Sequence, residues 1–234
     1  MGTILLMPFF TNSSIIDKQT IFMNLYSHLK LLGLGHLYTW VMENNTGAFN
    51  PYHNNSHIER VTQFSLDGAS AHDLNFNDHQ RIAAAALLHD INHSGGKFKN
   101  DADNVKLALD ALEIYFTEHN DTLQFSRADL DSIANMIRAT QYPYEKSGNQ
   151  LTLLEKIIRD SDVAQGPYSE SYLTTIVRAV ATEMNLPYAA VIDGQIPFYK
   201  SLKYETKWGQ DLMDKAYPII EDQCKKMKEL LQAK

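Results

Sequence analysis

Histidine and aspartate recur in this 234-residue chain at spacings that suit the binding of metal ions. His53 and His57 are four residues apart where a helix is expected to begin, so both side chains can lie on one helical face. His89, Asp90 and His93 follow a long apolar segment, and the two histidines there repeat the four-residue spacing. A charge at the end of a buried helix is costly unless it is paired or coordinated. Asp90 therefore needs a partner, and a metal ion is a suitable one.

A further carboxylate pair, Asp160 and Asp162, follows a second apolar segment, and either residue can supply another ligand. Imidazole and carboxylate ligands together suit Zn, Mn, Fe or Mg. Each cluster also has an ordinary explanation, because histidine pairs often cap or coat helices, Asp90 can cap the next turn, and Asp162 can pair with Arg159. The coincidence of three clusters favours a metal site.

Composition limits the other functional classes. Acidic residues outnumber basic ones by 28 to 21, which disfavours the phosphate contacts of a duplex nucleic acid. The single cysteine, Cys224, permits no internal disulfide and no cysteine-built zinc site, and it indicates a reducing compartment. Apolar runs are too short to span a membrane, and residues 1–14 lack the features of a secretory signal. We therefore expect a cytoplasmic protein with no membrane partner, whose residues 1–14 form an arm packed on the core.

Helical periodicity dominates the chain and predicts the elements that position these side chains. We expect helices over 15–41, from Asn54 or Asn55 through the stretch at 61–64, after the caps Asn77 and Asp78, and over 169–184 and 197–232. Three further starts carry the pattern of a short polar residue with an acid three positions later, namely Asn100 with Asp103, Ser126 with Asp129, and Thr152 with Glu155. The segment 82–88 is apolar on every side and predicts a central buried helix.

No segment reads convincingly as a strand, a repeat or a linker. The sequence therefore predicts one all-α domain over 1–234, with the chemical motifs in about 50–165 and the helices of 166–234 completing the pocket. The oligomeric state is not predicted.

Two of these motifs resemble a known family. His89-Asp90, with His57 upstream and Asp162 downstream, is similar to the signature of HD-domain metal phosphohydrolases. The segment 52–63 resembles the Y-H-N-x-x-H-x-x-x-V motif of class I cyclic-nucleotide phosphodiesterases, and 89–95 resembles their H-D-x-x-H-x-G motif. The segments 104–119 and 136–140 are similar to the next two helices of that family. The resemblance covers about 50–165 and implies a compact HD-type helical bundle with a metal site in its core.

The resemblance also implies a role for each matching residue. The ligands of a first, tighter metal would be His57, His89, Asp90 and Asp162, with Asp162 preferred over Asp160. Asp90 would also bridge to a second divalent metal, whose water shell would be held by His93, Glu118 and Thr140. His53 matches the general acid that protonates the departing oxygen, and Asn54 would support the site.

The substrate end of the motif differs from the family. Gln141-Tyr142-Pro143-Tyr144 stands where the family has an Asp and a nearby His, and the purine-selecting Gln with its Phe is not evident. Gln210 and Trp208, together with Asn54, are the candidates for substrate binding. Trp208 can equally be a core residue, because burial is the commoner use of an aromatic side chain.

The predicted activity is hydrolysis of a 3′,5′-cyclic nucleotide or a small cyclic oligonucleotide by two-metal activation of water. The alternatives are an HD-type nucleotidase or nucleoside triphosphate phosphohydrolase, and a di-iron oxygenase with the same ligand set. A degenerate module that only binds a nucleotide is disfavoured, because a binding module does not need a complete ligand set.

Overall fold

The computed structural model of the protein describes residues 18–119, 125–164 and 170–232. Within these ranges the chain forms ten α-helices, one short 3₁₀-helix at Gly148–Gln150, and no strand. The helices are α1 (Lys18–Leu31), α2 (Gly35–Asn44), α3 (Asn55–Ala71), α4 (Phe76–Leu88), α5 (Asp101–His119), α6 (Arg127–Ala139), α7 (Leu153–Val163), α8 (Glu170–Glu183), α9 (Tyr188–Ser201) and α10 (Lys207–Gln232). The predicted all-α class is confirmed; the predicted single-domain division stays a prediction.

Helix α4 is the centre of the first core, which we define as the apolar cluster built by α1–α7. All residues from Ile82 to Leu88 are fully buried, and α4 packs against α2, α3, α5, α6 and α7. This agrees with the apolar character of the segment on every side. Because neighbouring helices cover α4 all round, the two residues that follow it, His89 and Asp90, emerge inside the bundle.

The second core is the apolar cluster built mainly by α8, α9 and α10, with Leu173, Ile192 and Ile220 fully buried in it. Helix α7 joins the two cores, because its Ile157 and Ile158 lie in the first core while Val163 packs against the second. The joining helix also carries Asp160 and Asp162.

The prediction of one helix over 15–41 was wrong in its described part. Helix α1 ends at Leu31, and Gly33 adopts a positive φ of 76°. The amide of Leu34 then donates to the carbonyl of Leu29 at 2.7 Å. A glycine in this conformation ends a helix at no steric cost, and α2 begins at Gly35.

The prediction of one helix over 197–232 was also wrong. Helix α9 ends at Ser201 and α10 begins at Lys207, whereas Pro197 and Pro218 both lie inside helices. The break occurs where backbone amides of Glu205 and Thr206 donate to the carboxylate of Asp160. A side chain from another helix therefore sets this boundary, and no local pattern announces it.

Several predicted helix starts are confirmed. The capping boxes of Ser126 with Asp129 and of Thr152 with Glu155 are both complete. Helix α3 begins at Asn55 with Asn54 as its cap, and α8 occupies most of 169–184. At α5, Asn100 accepts a hydrogen bond from the Ala102 amide.

Helix α4 begins at Phe76, slightly before the predicted caps, because Asn75 caps it through the Asp78 amide. None of the described helices is both long and apolar enough to cross a membrane. The predicted arm at 1–14 lies outside the described residues.

Candidate metal centre

Four of the predicted metal ligands meet at one point. His57 lies in the first turn of α3, His89 and Asp90 follow α4, and Asp162 lies in the last turn of α7. His57 Nε2 is 3.3 Å from His89 Nε2, 3.0 Å from Asp90 Oδ2 and 3.3 Å from Asp162 Oδ1. His89 Nε2 is 3.5 Å from Asp90 and 3.7 Å from Asp162. Residues that are up to 105 positions apart in the sequence thus present two nitrogens and two carboxylates to a common point.

The chemistry of this donor set fits a divalent cation. The Nδ1 atom of His89 lies 2.7 Å from the Ala86 carbonyl, to which it donates, so the bare nitrogen of the neutral ring is Nε2. That atom is the one that faces His57 and the carboxylates. A ring fixed in this tautomer by a backbone carbonyl is the usual arrangement of a metal-binding histidine. His57, His89 and Asp90 are close enough together to hold one ion.

The charges of the cluster also favour a divalent cation. Burial disfavours the charged forms of His57 and Asp162, but their mutual hydrogen bonds raise the pKa of His57 to about 9 and lower the pKa of Asp162 to about 2. Burial likewise opposes ionisation of Asp90, yet the adjacent histidines hold its pKa well below the usual value. Two partly buried carboxylates therefore demand positive charge, which a divalent cation supplies while releasing the proton of an imidazole.

Local capping places His53 just before α3 and His57 in its first turn. The side chain of Asn54 accepts hydrogen bonds from the amides of Ser56 and His57 at 2.9 and 3.2 Å, and its amide group donates to the Asn50 carbonyl at 2.9 Å. Asn54 thus fixes the start of the helix between His53 and His57. This placement makes it a supporting residue, because its side chain is used in the cap.

A second asparagine, Asn45, ties the loops around the centre together. Its side-chain oxygen accepts from the Asn92 amide at 2.8 Å, and its nitrogen donates to Asn55 at 2.7 Å. The turn after Asp90 needs unusual backbone, with Asn92 at φ 64° and Gly95 at φ 66°. An added Cβ at Gly95 would lie 2.6 Å from the side chain of Asn50, so only glycine fits.

His53 lies beside the four-residue cluster, with its ring centroid 5.4 Å from that of His57. Its Nδ1 forms a short hydrogen bond with Oε1 of Glu183, the last residue of α8. The other carboxylate oxygen of Glu183 accepts from the backbone amides of Tyr52 and His53 at 2.7 and 3.1 Å. Burial opposes ionisation of Glu183, but the hydrogen bond from His53 lowers its pKa. The histidine ring is therefore fixed by an ionised carboxylate, and its Nε2 is left for other chemistry.

His93 stacks on His53, with ring centroids 3.8 Å apart. Its Nδ1 accepts a hydrogen bond from the Gly95 amide at 3.1 Å, so a neutral ring carries its proton on Nε2. Burial lowers the pKa of His93 and thus favours that neutral form. A neutral Nε2–H suits a hydrogen bond to a water molecule, which agrees with the role implied for this residue. His53, His93 and Glu183 also lie close enough together to hold an ion of their own.

Asp160 and Asp162 point to different places. Asp160 is fully buried and accepts hydrogen bonds from the Glu205 amide at 2.8 Å and from the amide and hydroxyl of Thr206 at 2.8 and 2.6 Å. An added Cβ at Gly209 would lie 2.4 Å from its carboxylate. The structure therefore brings Asp162 to the histidines and commits Asp160 to the N-terminus of α10.

Of the two remaining candidates for the shell of the second metal, Glu118 is exposed and Thr140 is buried. Glu118 is exposed in the last turn of α5, about 20 Å along that helix from Asn104, which bonds Ser94 beside the centre. The structure therefore does not bring Glu118 to the cluster. Thr140 is buried at the end of α6, where its hydroxyl donates to the Ile137 carbonyl at 2.8 Å.

The contacts described for the two C-terminal candidates for substrate binding are made with residues other than the histidines. Trp208 packs against the first core, and its ring would be 3.0 Å from a Cβ added at Gly68. Gly68 is 11 residues beyond His57, or about 16 Å along α3. Gln210 is exposed and donates to Asp214 on its own helix at 2.8 Å. The core interpretation of Trp208 thus agrees with its contacts.

Two acidic residues near the centre were missed by the sequence analysis. Glu183 is 130 residues from His53 and ends an ordinary amphipathic helix, so no local signal marks it. Asp101 sits in the first turn of α5 and contributes to the electrostatic environment of His93. The sequence offered one signal for Asp101, because this residue follows the His89 motif much more closely than Glu118 does.

Solved structures share this arrangement of helices at low sequence identity. The protein Lin1889 of Listeria innocua is 16% identical, with 93% of this chain and 98% of its own covered and a TM-score of 0.53. YpgQ of Bacillus subtilis, solved with ADP, is 14% identical, with coverages of 83% and 95% and a TM-score of 0.55. LmjPDEB1, solved with IBMX, is 14% identical, with coverages of 92% and 85% and a TM-score of 0.59.

The fold is of the HD type. No model of a protein family matches the chain, and no curated protein matches it. The likeness therefore extends to the arrangement of the helices alone.

Proposed function

We propose that the protein is a metal-dependent phosphodiesterase that hydrolyses a 3′,5′-cyclic nucleotide or a small cyclic oligonucleotide. The observation that carries this proposal is that two groups of residues, the four-ligand cluster and the pair of His53 and Glu183, lie side by side. A donor set suited to a divalent cation lies directly beside a histidine whose ring is fixed by a buried carboxylate. The first group suits activation of water, and the second suits protonation of a leaving group.

In this proposal the first metal is held by His57, His89, Asp90 and Asp162. Asp90 would also hold a second metal, and His93 would hydrogen-bond to water bound to that metal. Bound there, two divalent ions supply Lewis acidity and an activated water for attack on phosphorus. The carboxylates fix the position of the ions, and the hydrogen bonds made by His89 and His93 fix the direction in which each ring faces.

His53 supplies the proton in the proposed reaction. Glu183 accepts from Nδ1, holds the ring in place and balances the positive charge of the protonated imidazole. The proton on Nε2 is then available to the oxygen that leaves phosphorus. A positioned general acid of this kind contributes about 10²–10⁴-fold to a rate.

The comparisons support a phosphate ester as substrate. LmjPDEB1 is a PDE catalytic domain with the same fold, and YpgQ was solved with ADP. The ADP complex favours a second candidate function, hydrolysis of a nucleoside di- or triphosphate. In that reaction the leaving group is a phosphate or pyrophosphate, which has less need of a general acid than an alkoxide has.

A substrate panel tests the proposal. Protein loaded separately with Mn²⁺, Zn²⁺, Mg²⁺ or Fe²⁺ is incubated with 3′,5′-cyclic mono- and dinucleotides and with nucleoside mono-, di- and triphosphates, with and without chelator. We expect chelator-sensitive opening of a cyclic phosphodiester. Release of phosphate or pyrophosphate from the linear nucleotides alone would select the second candidate. Oxygen consumption with Fe²⁺ and no hydrolysis would replace both with an oxygenase.

A further inference from the structure

Three aromatic rings form a patch beside the candidate metal centre, and we call it the aromatic shelf. Tyr142 and Tyr144 belong to the loop after α6, and Phe198 belongs to α9. Their centroids are 5.3 Å apart for the two tyrosines and 6.1 Å apart for Tyr142 and Phe198, with interplanar angles of 86° and 64°. Tyr142 is 46% and Phe198 is 37% exposed. Large apolar rings that face solvent together mark a binding surface more often than single ones do.

One side of the shelf adjoins Asp162. Arg159 precedes Asp162 by one turn of α7, so both side chains leave the helix on the same face. The guanidinium of Arg159 lies 4.1 Å from the centroid of the Tyr144 ring. Burial raises the pKa of the Tyr144 phenol, and the negative charge of Asp162 raises it further. Tyr144 therefore stacks on the residue that lies one turn before the carboxylate that closes the donor set.

The other side adjoins His93 through a chain of hydrogen bonds. The Tyr142 amide donates to Asp101 at 2.8 Å, and Asn104 donates to the second oxygen of that carboxylate at 3.2 Å. The side-chain oxygen of Asn104 accepts in turn from the amide of Ser94 at 3.0 Å. Since Ser94 follows His93 directly, the shelf and the turn after Asp90 are held to one another.

The loop that carries the shelf is held at both ends. Arg159 is buried, and it donates from Nε to the Ala139 carbonyl at 2.9 Å and from Nη1 to the Lys146 carbonyl at 2.5 Å. Together with the stacking on Tyr144, these bonds fix the loop before any ligand arrives. A surface ordered in advance loses less conformational freedom on binding, which favours affinity.

We infer that the aromatic shelf binds the planar nucleobase of the substrate while the phosphate lies at the metal centre. This inference rests on the proposed function, because it assigns the part of the substrate that the donor set does not hold. Aromatic side chains stack on any base through its π-face, whereas a base-free sugar phosphate offers no such face. The occupant is thus a nucleotide, recognised by stacking.

Equilibrium binding tests the inference without requiring turnover. The probes are 5′-deoxyadenosine 5′-phosphonate, whose C–P bond resists hydrolysis, and its counterpart without a base. Dissociation constants are measured by calorimetry on Mn²⁺-loaded protein. We expect the wild-type protein to bind the adenine probe about 5- to 100-fold more tightly than the base-free probe, the range that stacking supplies.

Two variants of the shelf and two controls sharpen the test. Tyr142→Ala and Phe198→Ala each reduce the preference for the adenine probe and leave the affinity for the base-free probe unchanged. Tyr142→Phe retains the ring and the preference. Phe76→Ala removes an exposed ring at the start of α4, about 20 Å from the end that leads to His89, and also retains the preference.

Each result decides one question. Equal affinity of the two probes for the wild-type protein, or an unchanged preference in both alanine variants, would overturn the role of the shelf even if the protein hydrolyses cyclic nucleotides. Failure of the substrate panel combined with a shelf-dependent preference for adenine would overturn the proposed reaction and keep the nucleotide site. Circular dichroism of each variant confirms that the fold is retained.

Discussion

The first core and the second core contribute different kinds of residue to the candidate centre. Every member of the four-ligand cluster belongs to α3, to the turn after α4, or to α7, all of which pack in the first core. The second core contributes Glu183, which contacts His53 and the backbone next to it. The first core thus builds the place where a metal can bind, and the second core controls the group beside it.

This division explains how one bundle can separate metal binding from proton transfer. The ligands are fixed by helices with few degrees of freedom, which suits the strict geometry of a metal ion. The carboxylate that orients His53 comes from the last residue of α8, so it depends on how the second core docks. This separation predicts different effects for variants of the metal ligands and for variants of His53 and Glu183.

Loss of the donor set has the largest effect. Asp90→Ala removes a carboxylate that contacts both histidines, and we expect loss of bound metal together with a fall in turnover of at least about 10³-fold. Treatment of the wild-type protein with chelator gives the same loss and lowers the midpoint of thermal unfolding, since the metal stabilises only the folded state. Metal content by mass spectrometry and turnover by product analysis are the measurements. Full metal occupancy in Asp90→Ala would remove this residue from the ligand set.

Variants of His53 and of its partner Glu183 give a smaller effect of a different kind. His53→Ala lowers kcat by about 10²–10⁴-fold, because it removes the proton donor. Glu183→Gln lowers kcat by about 10- to 100-fold, because the amide orients the ring less well and carries no charge. Both variants keep the metal content of the wild-type protein. Loss of metal in both variants would mean that metal binding and proton transfer are not separated between the two cores.

The contact between Asp160 of α7 and the start of α10 is tested by the free energy of unfolding. Asp160→Ala leaves the amides of Glu205 and Thr206 at the start of α10 without their acceptor, and we expect the free energy of unfolding to fall by about 2–4 kcal/mol. Urea denaturation measures the loss, and the metal content of the folded protein stays unchanged. Asp211→Ala, which removes an exposed ion pair of α10 with Lys207, serves as the matched control and changes stability by less than about 0.5 kcal/mol. Equal effects of the two variants would contradict the buried cap.

The smallest effects are expected at the C-terminal candidates for substrate binding. Gln210→Ala removes an exposed side chain that bonds only within α10, and Trp208→Phe keeps a ring in the first core. We expect kcat/KM to change by less than about twofold in either variant, with a stability cost below about 1.5 kcal/mol for Trp208→Phe. A tenfold rise in KM for Gln210→Ala would bring α10 into the substrate site and weaken the case for the aromatic shelf.

Much of the first core was predictable because its signals are local. The buried helix at 82–88 is marked by its own composition. The four-residue spacing of His53 and His57 indicated a helix start there, but His53 lies before the Asn54 cap and only His57 is in the first turn of α3, so the two do not share a helical face. The Asn54 cap and the box at Ser126 were equally visible, since each satisfies backbone amides within three residues. The match to the histidine motifs then identified the four side chains that the structure brings together.

The errors share one physical cause. The break between α9 and α10 is made by Asp160 of α7, and the partner of His53 is the carboxylate of Glu183 from α8. Glu118 was assigned to the site and Asp101 was not predicted at all, because sequence similarity does not show which end of a helix faces a site. In each case the deciding contact joins residues that are far apart in the chain, so no window of sequence contains both.

The sequence by itself determined the helical class, the buried central helix and the residue types that can hold a metal, because periodicity, capping and ligand chemistry are properties of short segments. The resemblance already favoured Asp162 over Asp160 as a ligand, but only the tertiary structure decided that Asp160 caps α10 and that Glu183 orients His53. Two aspartates two residues apart on a helix point to different sides, and only the packing of the two cores determines what each side meets.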